Sequence, residues 1–232
     1  MHGSSMAEGY ACLMQTRTPD HEVTTAGADW RAQRRAGIRA IAAAMLVAAL
    51  MWSAVRWGAP VIAGMDSVQA RLVFAFKAWC LAVLFCLVTG IEAVAHERLQ
   101  SAAFDPLAGV QTRRLQVNQR YLQNTLEQLV VFTAGLFGLA YYSDGGDAMR
   151  TVLATVVVWI AARLAFWIGY HRSAALRGLG APGMFLALLM LLYVAARIGR
   201  DVAGVPGAVA VVAAFLAFEA VLFRTTRGHT AT

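Results

Sequence analysis

The sequence predicts an all-α integral membrane protein, on three observations. Of the 232 residues, 59% are hydrophobic and only 14% are charged. The mean hydropathy is +0.58. The apolar residues gather into long runs separated by short polar joints. A soluble domain of this length has too little interior for so much apolar sequence. The net charge of +7 comes from 19 Arg and one Lys spread between the apolar runs. That spacing suits loops on an anionic lipid face and lacks the clustered patch that nucleic acid requires, so no nucleic-acid partner is expected.

Residues 1–36 are polar and lack the apolar core of a signal peptide, which reads as a disordered cytoplasmic tail. Six stretches then have the length needed to cross a hydrocarbon core of about 30 Å as helices. They are 37–55, 70–95, 120–142, 150–171, 182–199 and 204–223. The joints carry turn residues: "RWGAP" at 56–60, "SDGGD" at 143–147, "GLGAPG" at 178–183 and "GVPG" at 204–207. No internal repeat is visible, so an inverted-repeat transporter has little support.

Basic residues at the helix ends predict the orientation. One side would hold Arg31, Arg34, Arg35, Arg39, Arg98, Arg113, Arg114, Arg120, Arg172, Arg177, Arg224 and Arg227. The other would hold Arg56, Arg71, Arg150, Arg197 and Arg200. The imbalance places both termini and the 96–119 loop in the cytoplasm, in a plasma or inner membrane. Trp52, Trp57, Trp159, Trp167, Tyr141, Tyr142 and Tyr170 lie mostly toward segment ends, as in an aromatic belt.

Cys80 and Cys86 are about 240° apart around one helix and cannot bridge each other. They and Cys12 read as simple thiols. No CxxC, HExxH or His/Cys cluster points to a metal.

Four ionisable residues fall in or near apolar runs: Lys77, Glu127, Arg163 and Glu219. Each is costly if it faces lipid. Lys77 and Glu219 read as snorkelling or structurally paired. Glu127 belongs to a row in "NQRYLQNTLEQLVVFTAGLFGLAYY" (118–142), where Arg120, Asn124 and Glu127 share a helix face. Arg163 belongs to a second row in "ARLAFWIGYHRSAALRGLGAP" (162–182), with Tyr170 on its face and Arg177 at the helix exit. The two segments run antiparallel, so the start of one row meets the end of the other at one membrane face. Two Arg, a carboxylate, an amide and a phenol there suit a small zwitterionic ligand. An interhelical salt bridge from Glu127 to Arg163 or Arg120 accounts for the same residues equally well.

"RYLQNTLEQLVVF" resembles the second-helix signature of the MAPEG family, membrane-associated proteins in eicosanoid and glutathione metabolism. "ARLAFWIGYHRSAALRG" is similar to the family's third helix and its exit, closest to the leukotriene-synthase branch. The resemblance covers about 70–200. It implies a four-helix bundle with one extra transmembrane helix at each end, in 37–69 and 201–232, six in total. It further implies a homotrimer that binds glutathione, or another low-molecular-weight thiol, between subunits near the cytoplasmic face. A lipophilic electrophile would arrive from the bilayer. By the same resemblance Arg120, Asn124, Glu127, Arg163 and Tyr170 hold the thiol compound, and Arg177 supports its thiolate as the catalytic residue. Gln123, Phe166, Gly178 and Thr89 depart from the family pattern, which argues against carrying over any eicosanoid substrate.

Three functions follow in order: a membrane glutathione transferase or peroxidase, a non-catalytic lipid- or partner-binding protein of the same fold, and an unrelated six-helix transporter. Arg177 together with an intact Arg120–Asn124–Glu127 row favours the first. A transporter would instead place its polar groups at the bilayer midplane and at broken helices.

Overall fold

The computed structural model describes residues 19–227, and no strand occurs among them. Helix α1 spans Pro19–Gly58. Residues 19–36, expected in a disordered tail, are therefore helical. This stretch is rich in Ala and Arg, both good helix formers. Extending a helix already nucleated by the apolar run costs far less than starting one. Residues 1–18 lie outside the described residues.

Helix α2 (Val68–Ala82) is capped by Ser67, whose hydroxyl accepts from the Ala70 N–H at 3.1 Å. It runs through a π-helical turn at Val83–Val88 into α3 (Thr89–Leu99). Thr112 caps α4 (Arg113–Tyr141) by accepting from the Leu115 N–H at 3.0 Å. Helix α5 (Gly145–Arg172) ends in a 3-10 segment, Ala175–Gly180, which leads into α6 (Ala181–Arg227).

Helix α6 is not one rod. Ala203 (φ −138°) and Gly204 (φ 66°, ψ −155°) interrupt it. A Cβ on Gly199 would stand only 2.6 Å from the Gly207 carbonyl oxygen. In a straight helix those residues are about 12 Å apart along the axis, so the chain turns back on itself here. The positive φ at Gly204 is one that L side chains rarely adopt. Pro206 then lies in the first turn of the second arm, where its missing N–H has little cost.

By length and composition, four helical segments could cross a membrane: Trp30–Gly58, Val68–Leu99, Gly145–Arg172 and Ala175–Thr226. Six separate spans were expected. The two arms of α6 count here as one, and α4 does not qualify. The position of α4 explains why. It is packed by α2, α3, α5 and α6, so many of its polar residues, among them Asn118, Thr125 and Gln128, are buried against other helices, while a strip from Gln116 through Arg120, Gln123 and Glu127 to Val130 stays exposed.

Close packing holds the bundle, because lipid offers no hydrophobic drive to bring helices together. Phe132 of α4 stacks on Trp159 of α5 with centroids 4.4 Å apart. Gly135 and Gly138 let α4 approach α6: added Cβ atoms would lie 2.9 Å from Met190 Cβ and 2.5 Å from Val194 Cγ2. Trp79 Nε1 donates to Thr133 Oγ1 at 2.9 Å, joining α2 to α4.

Helix α1 lies along α5 and is fixed at two places. At one end Arg56 pairs with Asp147 at 2.7 Å, and Arg150 pairs with Asp147 while donating to the Ala59 carbonyl at 3.0 Å. Near its middle it abuts the 3-10 segment: a Cβ on Gly178 would meet Ile41 Cγ1 at 2.9 Å and the Gly37 carbonyl oxygen at 3.1 Å. Lys77 and Glu219 are both exposed on the outside of the bundle, and neither forms a salt bridge among the described residues.

Candidate functional site

Where α4 begins and α5 ends, the helices enclose a cavity of about 350 Å³. Its walls come from three places. Helix α4 supplies Arg120, Asn124 and Gln128. Helix α5 supplies Arg163, Phe166 and Tyr170. The 3-10 segment and the start of α6 supply Arg177, Gly178, Gly180 and Ala181.

Arg163 is the fixed point of this site. Its side chain is fully buried, and Nη2 donates to Thr125 Oγ1 of α4 at 3.0 Å. The guanidinium carbon lies 4.6 Å from the centroid of Phe166 and 5.5 Å from that of Tyr121, distances that suit cation–π attraction. Its Nε and Nη1 have no hydrogen-bond partner among the described residues. No carboxylate pairs with it among the described residues. A buried charge with neither a counter-ion nor full hydrogen bonding is expensive, and an anion in the cavity would offset that cost.

The surroundings hold this guanidinium in place. Tyr121 stacks against Phe166 and Trp167, and its hydroxyl donates to the Cys86 carbonyl at 3.0 Å. Cys86 sits in the π-helical turn, where the normal ladder is disturbed and a carbonyl can accept from a side chain. Below this layer, Asn118 donates to the Ala93 carbonyl at 3.0 Å and accepts from Trp167 Nε1 at 2.9 Å. Its Oδ1 also lies 2.9 Å from His171 Nε2. The α3–α4–α5 junction is thereby tied together with few free polar groups.

The third wall depends on glycine. A Cβ on Gly180 would come within 2.5 Å of Phe166 Cβ, and one on Gly169 within 2.5 Å of the Leu176 carbonyl oxygen. These approaches press the segment bearing Arg177 against the end of α5. Arg177 is itself exposed and forms no ion pair among the described residues.

The MAPEG family model matches residues 72–197. The chain belongs to the MAPEG family. It is accordingly an integral membrane protein, and the matched region runs from early α2 to the first arm of α6. Helix α1 and the second arm of α6 lie outside it. No curated protein and no solved structure matches the chain.

Within this MAPEG core, five of the six residues singled out in the sequence line one cavity: Arg120, Asn124, Arg163, Tyr170 and Arg177. Glu127 does not line it. It is exposed on the adjoining strip of α4, where it accepts from Gln123 Nε2 at 3.1 Å, and Gln123 Oε1 accepts from Arg120 Nη1 at 3.4 Å. The salt bridge from Glu127 to Arg163 or Arg120, weighed as an alternative, is not formed. Gln128 was missed in the sequence reading. It is one turn beyond Asn124, donates to Asn124 Oδ1 at 3.2 Å, and keeps a buried Oε1 without a partner among the described residues. Continuing the i, i+4 row from Arg120 through Asn124 would have reached it. Phe166 and Gly178 stood out as departures from the family pattern, and both prove to be part of the wall.

Proposed function

We propose that this protein is a membrane-embedded glutathione-dependent transferase or peroxidase acting on lipophilic electrophiles. One observation carries the reading: three guanidinium groups, one of them buried and unpaired, line a single cavity whose lining includes no carboxylate. Glutathione carries two carboxylates and, when reactive, a thiolate. Arg120 and Arg163 are suited to the carboxylates, Asn124 and Gln128 to the peptide groups, and Tyr170 to a further polar contact.

Arg177 is assigned to the sulfur. A free thiol titrates near pH 8.5, and a neighbouring guanidinium favours the thiolate, so more nucleophile is present at neutral pH. In conjugation the thiolate forms a carbon–sulfur bond while the leaving group departs with the bonding electrons. Arg keeps its charge when partly desolvated, which Lys does not reliably do.

The site is proposed to be completed by a neighbouring subunit in a homotrimer. Glu127, on the exposed strip beside the cavity, is then placed to receive the ammonium group. Lys77, exposed within α2, likewise gains a surrounding other than lipid. The distribution of basic residues supports cytoplasmic termini, and the turn at Ala203–Gly204 supports six crossings in all, with α1 and the second arm of α6 added around the four-helix core.

The test is a coupling assay on detergent-solubilised protein with a generic aryl halide, with and without glutathione. Saturable, enzyme-dependent thioether formation is the expected result. Absence of any rate above the uncatalysed reaction, with glutathione still bound, would favour a non-catalytic binding protein.

A further inference from the structure

A second, larger cavity of about 690 Å³ lies on the other side of Ala181 and Pro182 from the polar site. It is enclosed by α1, α5 and α6. Along α6 it extends from Pro182 to Arg197, about 22 Å at 1.5 Å per residue. Spread over that length, the volume makes a narrow slot, wide enough for one alkyl chain rather than a pair. Its α1 wall, with Met45, Ala48 and Trp52, lies outside the matched family region.

The slot is polarised. The Pro182 end is apolar, with Val158 and Phe185 beside it. Midway, Trp52 Nε1 donates to Thr155 Oγ1 at 3.2 Å, and Ser53 and Thr151 also line the slot. At the far end stand Tyr142, Ser143, Asp144, Tyr193 and Arg197. Arg197 stacks 4.8 Å from the Tyr142 centroid and Nη1 donates to the Tyr193 hydroxyl at 3.5 Å, while its buried Nε has no hydrogen-bond partner among the described residues. Asp201 is engaged by the Tyr142 hydroxyl at 2.6 Å. Asp144 is exposed, so water weakens its hold on a nearby cation. Ser143 donates to the Leu139 carbonyl at 2.7 Å. Arg197 forms no salt bridge among the described residues and stands at one end of an apolar slot.

We propose that this slot binds a single-chain amphiphile with an anionic head, its chain lying between α1, α5 and α6 and its carboxylate or phosphate at Arg197. The volume lies in the range typical of small-molecule sites, and the walls have the usual mix of apolar surface with a few placed polar groups. Buried methylene groups supply the affinity and the guanidinium sets the direction. The assignment does not depend on the thiol reading of the polar cavity.

Trp52 provides the readout. Dibromostearate added to the detergent-solubilised protein is expected to quench tryptophan fluorescence saturably, and Trp52→Phe to remove most of that saturable component. The equally long dibrominated alcohol is expected to bind about tenfold more weakly, and Arg197→Gln to erase that difference. Ala48→Phe, which fills the slot, should abolish saturable quenching by both probes. If that variant fails to stay monodisperse, the Arg197→Gln comparison decides alone. Displacement at lower concentration by stearoyl lysophosphatidate than by stearate would identify the head as a phosphate, and the reverse order as a carboxylate. The proposal is overturned by purely linear quenching, by quenching that survives Trp52→Phe, or by no preference for the charged probe in wild type.

Discussion

Arg163 of α5 donates to Thr125 of α4 at 3.0 Å from a position with no exposed surface, and no acidic residue among the described residues pairs with it. A charge held this way contributes little to stability, since replacing a buried charge by an apolar group of similar size is often neutral or stabilising. On the proposed reading, its use lies in the anion it receives. Arg163→Met is therefore expected to leave the thermal midpoint unchanged or raised and to weaken glutathione binding at least tenfold, about 1.4 kcal/mol or more. Equilibrium dialysis with labelled glutathione beside thermal unfolding checks both halves. A sharp loss of stability with binding intact would show that Arg163 is structural.

The α4–α6 contact makes a prediction about packing. Val194 lies so close to Gly138 that an added Cβ would stand 2.5 Å from its Cγ2, and a β-branched side chain has few rotamers into which it can retreat. Gly138→Ala is expected to cost about 1–3 kcal/mol, as overpacking typically does. Detergent titration to the unfolded state measures this. A wild-type midpoint would mean that the helices separate easily.

Topology is tested by labelling in a cysteine-free background. Leu107 is 93% exposed in the connection between α3 and α4, which spans 100–112 rather than the expected 96–119, and Asp144 is exposed just before α5. Asp144→Cys should react with an impermeant maleimide applied from outside intact cells, whereas Leu107→Cys should react only after permeabilisation. The opposite pattern would reverse the orientation and place the polar cavity on the outer face.

Assembly is tested by light scattering with the detergent contribution subtracted. A trimer mass is expected. A monomer mass would leave Glu127 exposed beside the cavity with no neighbour and would remove the basis for a shared site.

Much of the bundle was legible because its signals are local. Apolar runs, glycine-rich joints and the row from Arg120 through Asn124 depend on periodicity along one helix. What escaped depends on contacts between distant segments. Continuous helix from Pro19 reflects extension of a stretch with good propensity. The central position of α4, which lets it carry polar residues, depends on four neighbours that no window of sequence includes. Gln128 was passed over in favour of Glu127, although they are adjacent in sequence, because which of two flanking positions turns inward is set by the rotation of α4 against α5. Phe166 attracted notice only as an unusual residue, and its place under the Arg163 guanidinium depends on the close approach of Gly180.

Arg177 carries the central claim. If it stabilises a thiolate, its contribution grows as charge concentrates on sulfur, so turnover should suffer more than thiol binding. Loss of one such charged donor typically costs about 2.7–4 kcal/mol, or roughly a hundred- to a thousandfold in rate. Arg177→Lys should recover only part of this, because a flexible point charge lacks the fixed fork of donors. Glu127→Gln should mainly weaken binding, since its contact is made equally in the ground and transition states. The most direct measurement is the ultraviolet absorbance of protein-bound thiolate near neutral pH, in wild type and in Arg177→Ala. A glutathione-dependent thiolate band in wild type that is lost in Arg177→Ala is the predicted result. A wild type that binds glutathione without any thiolate band would contradict it.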